Sequence, residues 1–349
     1  MSDSPPSLRL TEERKIPRQD IVFSVAGVPG SQRVFFGSSD GGVHHADFGA
    51  DPVAPAVLEG DFRHRPGAYV TGLALAAGAS RLVSGAWDRS LIWWDTASMR
   101  PVHHVAEAHA KWIRKVVASP DGSLVASVAD DMVCRLWDAA TGAPRGELKG
   151  HAAETPHQYP SMLFTCAFSP DGSRLATADK TGRILVWEVA TRREIASLDA
   201  SCMYTWDPKQ RRHSIGGVRS LAFSPDGRTL VAGGIGQIGN IDHLGAAARL
   251  RFFDWEKGET LAEFESSEFK GLVERLAFHP RGDWLVACGG DNGGFALLID
   301  PGTRKSLHES KLPFHVHDFI LDGDGTRLVA AGHNGIVVQR VDLGKPVLS

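Results

Sequence analysis

His109, Ser127 and Asp131 are the residue types of an acyl-transfer triad, a base, a nucleophile and an orienting carboxylate. His315-x-His317 is a second constellation. On a strand, residues i and i+2 face the same side, so both imidazoles reach one ion. A catalytic zinc site takes three protein ligands, and a structural one takes four, usually including Cys. No Cys or acidic run accompanies this pair in sequence, nor the adjacent pairs His44-His45 and His103-His104. These histidines therefore read as surface or edge residues, and no metal ligand or cofactor is assigned. A third group is Tyr204 and Trp206 beside Lys209, Arg211 and Arg212. Trp, Tyr and Arg are the types enriched at binding hot spots. The Gly-rich stretch 234–247 lacks the G-x-x-x-x-G-K-[ST] spacing of a phosphate loop and reads as a flexible connection.

The elements that carry these residues are short strands. Between Trp112 and His151 lie four apolar runs: 112–118, 124–128, 133–137 and 145–148. Each is too short for a stable helix and is β-branched or alternating. Ser119-Pro120-Asp121-Gly122, Asp130-Asp131 and Thr141-Gly142 supply the turns between them. The unit recurs. Its first turn returns at Gly30, Gly78, Gly122, Gly172, Gly227, Gly282 and Gly325, with gaps of 43 to 55 residues. Four strands per repeat at that period predict a β-propeller, and seven markers predict seven blades.

The third strand of each unit ends in Trp-Asp or a degenerate form: Trp94-Asp95, Trp137-Asp138, Trp187-Glu188, Phe253-Asp254. The chain thus resembles the WD-repeat (Trp-Asp repeat) family from about Leu8 to Leu343. The expected fold is all-β, a single seven-bladed β-propeller of four-stranded antiparallel blades forming one domain over 1–349. The blades are expected at 21–58, 69–108, 112–149, 162–199, 217–265, 272–312 and 315–343. A strand over 8–14 is expected to close the ring and remove a free edge; its rival for that place is Pro346–Leu348. The resemblance also implies a buried polar chain within a blade, running from His to Asp, Ser or Thr, and Trp. His109, Ser127, Asp131 and Trp137 fit it in full. Ser84, Asp88 and Trp94 fit without a His at the expected offset. Thr177 and Trp187 fit, with Thr181 where the Asp belongs. One complete network is therefore expected. On this reading the hydrolase triad is structural, because burial between strands denies a substrate access.

Lys and Arg number 38 against 41 Asp and Glu, so no broad nucleic-acid or anionic-membrane footprint is expected. Cys134, Cys166, Cys202 and Cys288 are scattered, as in a reducing compartment. With no apolar leader or spanning run, a cytoplasmic location is expected. Three long connections, 152–161, 200–216 and 234–247, fall by connectivity on one face. The expected function is a non-catalytic scaffold that binds another protein or peptide there, through Tyr204, Trp206, Arg211, Arg212, Tyr159, His157, Trp112 and Trp87. The alternative is a small-molecule or enzymatic site at the channel mouth, using His157, Asp207, Asp242 and His243.

Overall fold

A computed structural model of the chain describes residues 8–207, 213–239 and 244–343. The chain runs through β1 (Leu8–Gly27), β2 (Arg33–Ser38), β3 (Val43–Asp47), β4 (Ala56–Val57), β5 (Val70–Ala76), β6 (Arg81–Ala86), β7 (Leu91–Asp95) and β8 (Arg100–Val105). It continues with β9 (Ile113–Ala118), β10 (Leu124–Ala129), β11 (Val133–Asp138), β12 (Pro144–Lys149), β13 (Leu163–Phe168), β14 (Arg174–Asp179), β15 (Arg183–Glu188) and β16 (Arg193–Asp199). Then come β17 (Tyr204–Asp207), β18 (His213–Gly216), β19 (Ser220–Phe223), β20 (Thr229–Ile235), β21 (Ala247–Asp254) and β22 (Glu259–Lys270). The last are β23 (Leu272–Phe278), β24 (Leu285–Gly290), β25 (Gly294–Ile299), β26 (Ser306–Leu312), β27 (Val316–Leu321) and β28 (Arg327–Leu343). Apart from one 3-10 turn at Ser201–Met203, the regular structure of the described residues is all β.

The propeller has six blades, which corrects the expected seven. Five sheets have four antiparallel strands each, and one has six, in the order β27-β28-β1-β2-β3-β4. The physical reason lies in β1. It is one uninterrupted strand whose first part pairs with β28, from Leu8 against Leu343 to Ile21 against His333. Its last part, Val22 to Gly27, pairs with β2. The first and last sequence repeats therefore share a sheet, where separate blades were expected. The rival closing segment, 346–348, lies outside the described residues. A separate two-stranded hairpin, β17–β18, stands on the connection between β16 and β19.

Turn chemistry explains the strand lengths. At the β9–β10 turn Gly122 has φ +70°, which a Cβ disfavours. Ser119 Oγ donates to Asp121 Oδ1 at 2.5 Å and accepts from the Leu124 N–H at 2.9 Å. The same Ser-x-Asp-Gly arrangement closes the turns at Ser169 and Ser224. The core lies between neighbouring sheets. Trp93 and Trp137, for example, meet edge to face at 6.1 Å among Val83, Ile113, Val116 and Val125. β1, β5, β9, β13, β19, β23 and β27 neighbour one another in that order and return to β1, the six-stranded sheet supplying two of them.

Candidate functional site

Three sheets carry a complete buried polar chain. In β9–β12 the Trp137 indole donates to Ser127 Oγ at 2.9 Å, and Ser127 lies 2.7 Å from His109 Nε2. His109 Nδ1 lies 3.1 Å from Asp131, which also accepts the Ala110 N–H. With the hydroxyl donating to Nε2 and Nδ1–H donating to the carboxylate, a neutral imidazole serves both Ser127 and Asp131, and the Arg135 guanidinium beside it donates to Asp131 Oδ2 at 2.7 Å. Burial holds the His109 pKa below its ordinary value, with Asp131 opposing. Burial acts to raise Asp131, but its hydrogen bonds with His109 and Arg135 and the His109 charge hold it well below the carboxylate range. The order carboxylate, imidazole, hydroxyl is that of a hydrolase triad. Ser127 is nevertheless fully buried and its oxygen is occupied by the Trp137 N–H.

The expectation of a single complete network is corrected. His64 completes the set of Ser84, Asp88 and Trp94, with Nε2 2.7 Å from Ser84 Oγ and the Trp94 indole 2.9 Å from the same oxygen. His151 completes Thr177 and Trp187 at 2.8 and 2.9 Å. There Asp179, not a residue at position 181, receives His151 Nδ1 at 2.8 Å, and Thr181 merely donates to it. The His-to-hydroxyl separations are 18, 20 and 26 residues, because the connection before the inner strand varies while the strands do not.

The three long connections meet. His157, from the first, stacks on Trp206 at 4.6 Å and lies 3.1 Å from the Tyr204 hydroxyl. Tyr159 adds a ring 5.0 Å from Trp206. Gln237, from the third, donates to the Cys202 and Tyr204 carbonyls at 3.0 and 2.9 Å, and the Ile238 N–H reaches Thr205 Oγ1. Met203 and Thr205 anchor the hairpin in the interior while His157 is exposed and Tyr204 and Trp206 are half-buried. Arg211, Arg212, Lys209, Asp242 and His243 lie outside the described residues.

Trp87 and Trp112 form a second cluster, stacked at 4.3 Å and 3° with Trp112 46% exposed. Sequence reasoning missed what surrounds them. Arg114 lies over Trp87 and Trp112 while held bidentate by Asp130 at 2.7 and 2.6 Å. Tyr69 and Phe23 extend the stack to His317. Arg219 sits 3.7 Å over Phe164. Of these side chains Phe23, Trp87, Arg114, Phe164, Arg219 and His317, together with Glu274 and Lys115, line a cleft at the mouth of the ring. Deeper, Lys115 and Arg275 converge on Asp318 at 3.2 and 3.3 Å, and Asp318 also accepts the Val25 N–H. Burial lowers the Lys115 pKa, and Asp318 opposes it. These positions fall near the starts of strands that are far apart in sequence, so no local motif marks them.

At the cleft rim, Glu274 of β23 faces His315, which immediately precedes β27, and His317 within it. His315 Nδ1 lies 3.1 Å from the Asp291 carbonyl, and its Nε2 lies 3.7 Å from Glu274 Oε1. One ligand atom from each of the three residues lies within 4.8 Å of the others. Burial acts to raise Glu274, but the neighbouring His315 and the charge of Arg219 bring it down to about 2. Burial depresses His317 to about 3.

The comparisons with known proteins agree with the repeat. The profile described as "WD domain, G-beta repeat" matches residues 58–95, 100–138, 142–188, 201–237 and 258–293. The chain is 27% identical over 213 residues to eukaryotic translation initiation factor 3 subunit I of Candida albicans, covering 59% of this chain and 53% of that protein. It is 30% identical over 153 residues to small ribosomal subunit protein RACK1 of Caenorhabditis elegans, covering 44% and 42%. With nuclear distribution protein PAC1 of Arthroderma benhamiae the identity is 29% over 164 residues, covering 43% and 32%. The matches thus span about half or less of these relatives. No helix among the described residues is long and apolar enough to cross a membrane. On the five matched segments and the three Trp-bearing polar chains within them, the chain belongs to the WD-repeat family.

Proposed function

We propose that this chain is a non-catalytic scaffold that docks a protein or peptide on the face formed by its three long connections. The carrying observation is the aromatic ledge of His157, Tyr159, Tyr204 and Trp206, in which two connections are stacked against each other and a third braces the hairpin from behind. Such a ledge presents rigid aromatic area at low entropic cost, which is what a binding hot spot requires. The Trp87–Trp112 stack and the Arg-bearing cleft offer further contact area of the same chemistry. Two of the relatives are by name components of larger assemblies, a subunit of an initiation factor and a ribosomal protein. A cytoplasmic partner fits those names.

The test is site-directed photo-crosslinking in the native cell. A benzophenone amino acid replaces Trp206 in one variant and Asp226, in a turn at the other end of the strands, in a second. A partner crosslinked from position 206 and absent from 226 supports the reading. Equal yields from both, or no product from 206, overturn it.

A further inference from the structure

We propose that Glu274, His315 and His317 form a binding site for one divalent transition-metal ion, of which zinc is the natural candidate, at the mouth of the propeller channel. The residues come from two neighbouring sheets, with His317 on β27, His315 on the residue just before it, and the carboxylate on β23. Two imidazoles and one carboxylate are a donor set that zinc and its neighbours favour.

The first ground is the hydrogen-bonding state of the two rings. Among the described residues the hydrogen-bond partner of His315 Nδ1 is the Asp291 carbonyl, which can only accept. Nδ1 must therefore carry the proton, and in the neutral ring Nε2 holds the lone pair, 3.7 Å from Glu274 Oε1. A carbonyl behind the ring that fixes its tautomer is how metal-bound imidazoles are oriented. The second ground is that His315 Nε2 and His317 Nε2 are both buried, and neither has a hydrogen-bond partner among the described residues. Buried nitrogens without partners are costly and call for a ligand. Two imidazole nitrogens and a carboxylate gathered within 4.8 Å of one another are what a cation satisfies.

The third ground is distance. Ligands at zinc bond lengths stand about 3.4 Å apart in a tetrahedron. His315 Nε2 and Glu274 Oε1 are already 3.7 Å apart, and the widest separation in the set is within 4.8 Å. Side-chain rotation of about 1 Å closes the set. His333 stacks on His315 at 5.2 Å and meets His317 at a tilt of 44° and 4.9 Å. The charge balance permits the ion. Lys115 and Arg275 both pair with Asp318, and Arg219 is the arginine whose charge acts on Glu274. Three protein ligands leave a coordination position open to the cleft.

The full chain, with any affinity tag removed, is stripped with a chelator and titrated with Co2+, then with Zn2+. The expected result is visible d–d absorption that saturates at one equivalent, is abolished by Zn2+, and accompanies a rise in melting temperature. His317→Ala and Glu274→Gln each lose the absorption and the thermal shift. His103→Ala with His104→Ala, elsewhere on the surface, keeps both. Glu274→Gln is close to isosteric and serves if His317→Ala does not fold. Absence of d–d absorption from the native chain overturns the proposal and leaves a Glu274–His315 ion pair. Undiminished absorption in the two site variants overturns it as well.

Discussion

The sheet of β9–β12 and the rim formed by β23 and β27 both set histidine against a carboxylate, with opposite outcomes. In the first, Trp137, Ser127, His109 and Asp131 form a closed chain in which each donor meets an acceptor. In the second, two imidazole nitrogens are buried with no partner among the described residues. The same residue types thus serve the fold in one place and are left available in the other. Burial alone does not separate them; the hydrogen-bond ledger does.

The comparison is sharpest at Ser127. Ser127→Ala leaves the Trp137 N–H and His109 Nε2 without their partner, and each such buried group costs about 1–3 kcal/mol. A total loss of about 2–6 kcal/mol is expected in urea unfolding. A loss below about 1 kcal/mol would mean that the chain of bonds is ornamental to packing. His64→Ala and His151→Ala come next, at about 2 kcal/mol each, because each removes one link and leaves a smaller void. Equal costs for the two would confirm that the length of the preceding connection is irrelevant to the network's strength. A negligible cost for His151→Ala would restore the expectation of fewer working networks.

Acid separates the regions by a different route. His109 is held below its ordinary pKa, so between that value and the free-histidine value near 6.5 the unfolded chain binds more protons. Stability therefore falls as pH drops through that window. Asp131, also depressed, continues the loss below the free-carboxylate range, about pH 4. Melting temperatures from pH 8 to pH 4 should decline, and His109→Gln should flatten the part of the decline that begins below about pH 6.5. A variant that keeps the full slope in that range would show that another group carries it.

How much of this was legible in the chain depends on locality. The Ser-Pro-Asp-Gly turns at 119, 169 and 224 and the Trp-Asp strand ends are local, and they mark strands and repeat alike. The third network was half-read because Asp179 ends a strand where Asp131 stands in a turn. The second was misread because His64 precedes its strand by two residues more than His109 does. The blade count failed for a similar reason. Spacing marks repeats, whereas a sheet is defined by pairing, and β1 pairs on both sides without a break. At the cleft, Glu274 lies 41 residues before His315 (315 − 274), and only the ring brings them together. No sequence period encodes a contact across neighbouring sheets through the channel.

The smallest effect belongs to the rim and is the most informative. His317 Nε2 makes no hydrogen bond among the described residues, and its ring touches Phe23 and two other imidazoles. His317→Gln in chelator-stripped protein should therefore change stability by less than about 1 kcal/mol, far below Ser127→Ala. Burial depresses the His317 pKa to about 3, so near neutral pH its ring is uncharged and no ion pair is lost on substitution. The two variants are compared by urea unfolding at one pH. A loss at His317 that matches the loss at Ser127 would erase the distinction between the two regions. A near-zero loss would show that the fold does not need this histidine, and that its position at the cleft answers to something the cleft receives.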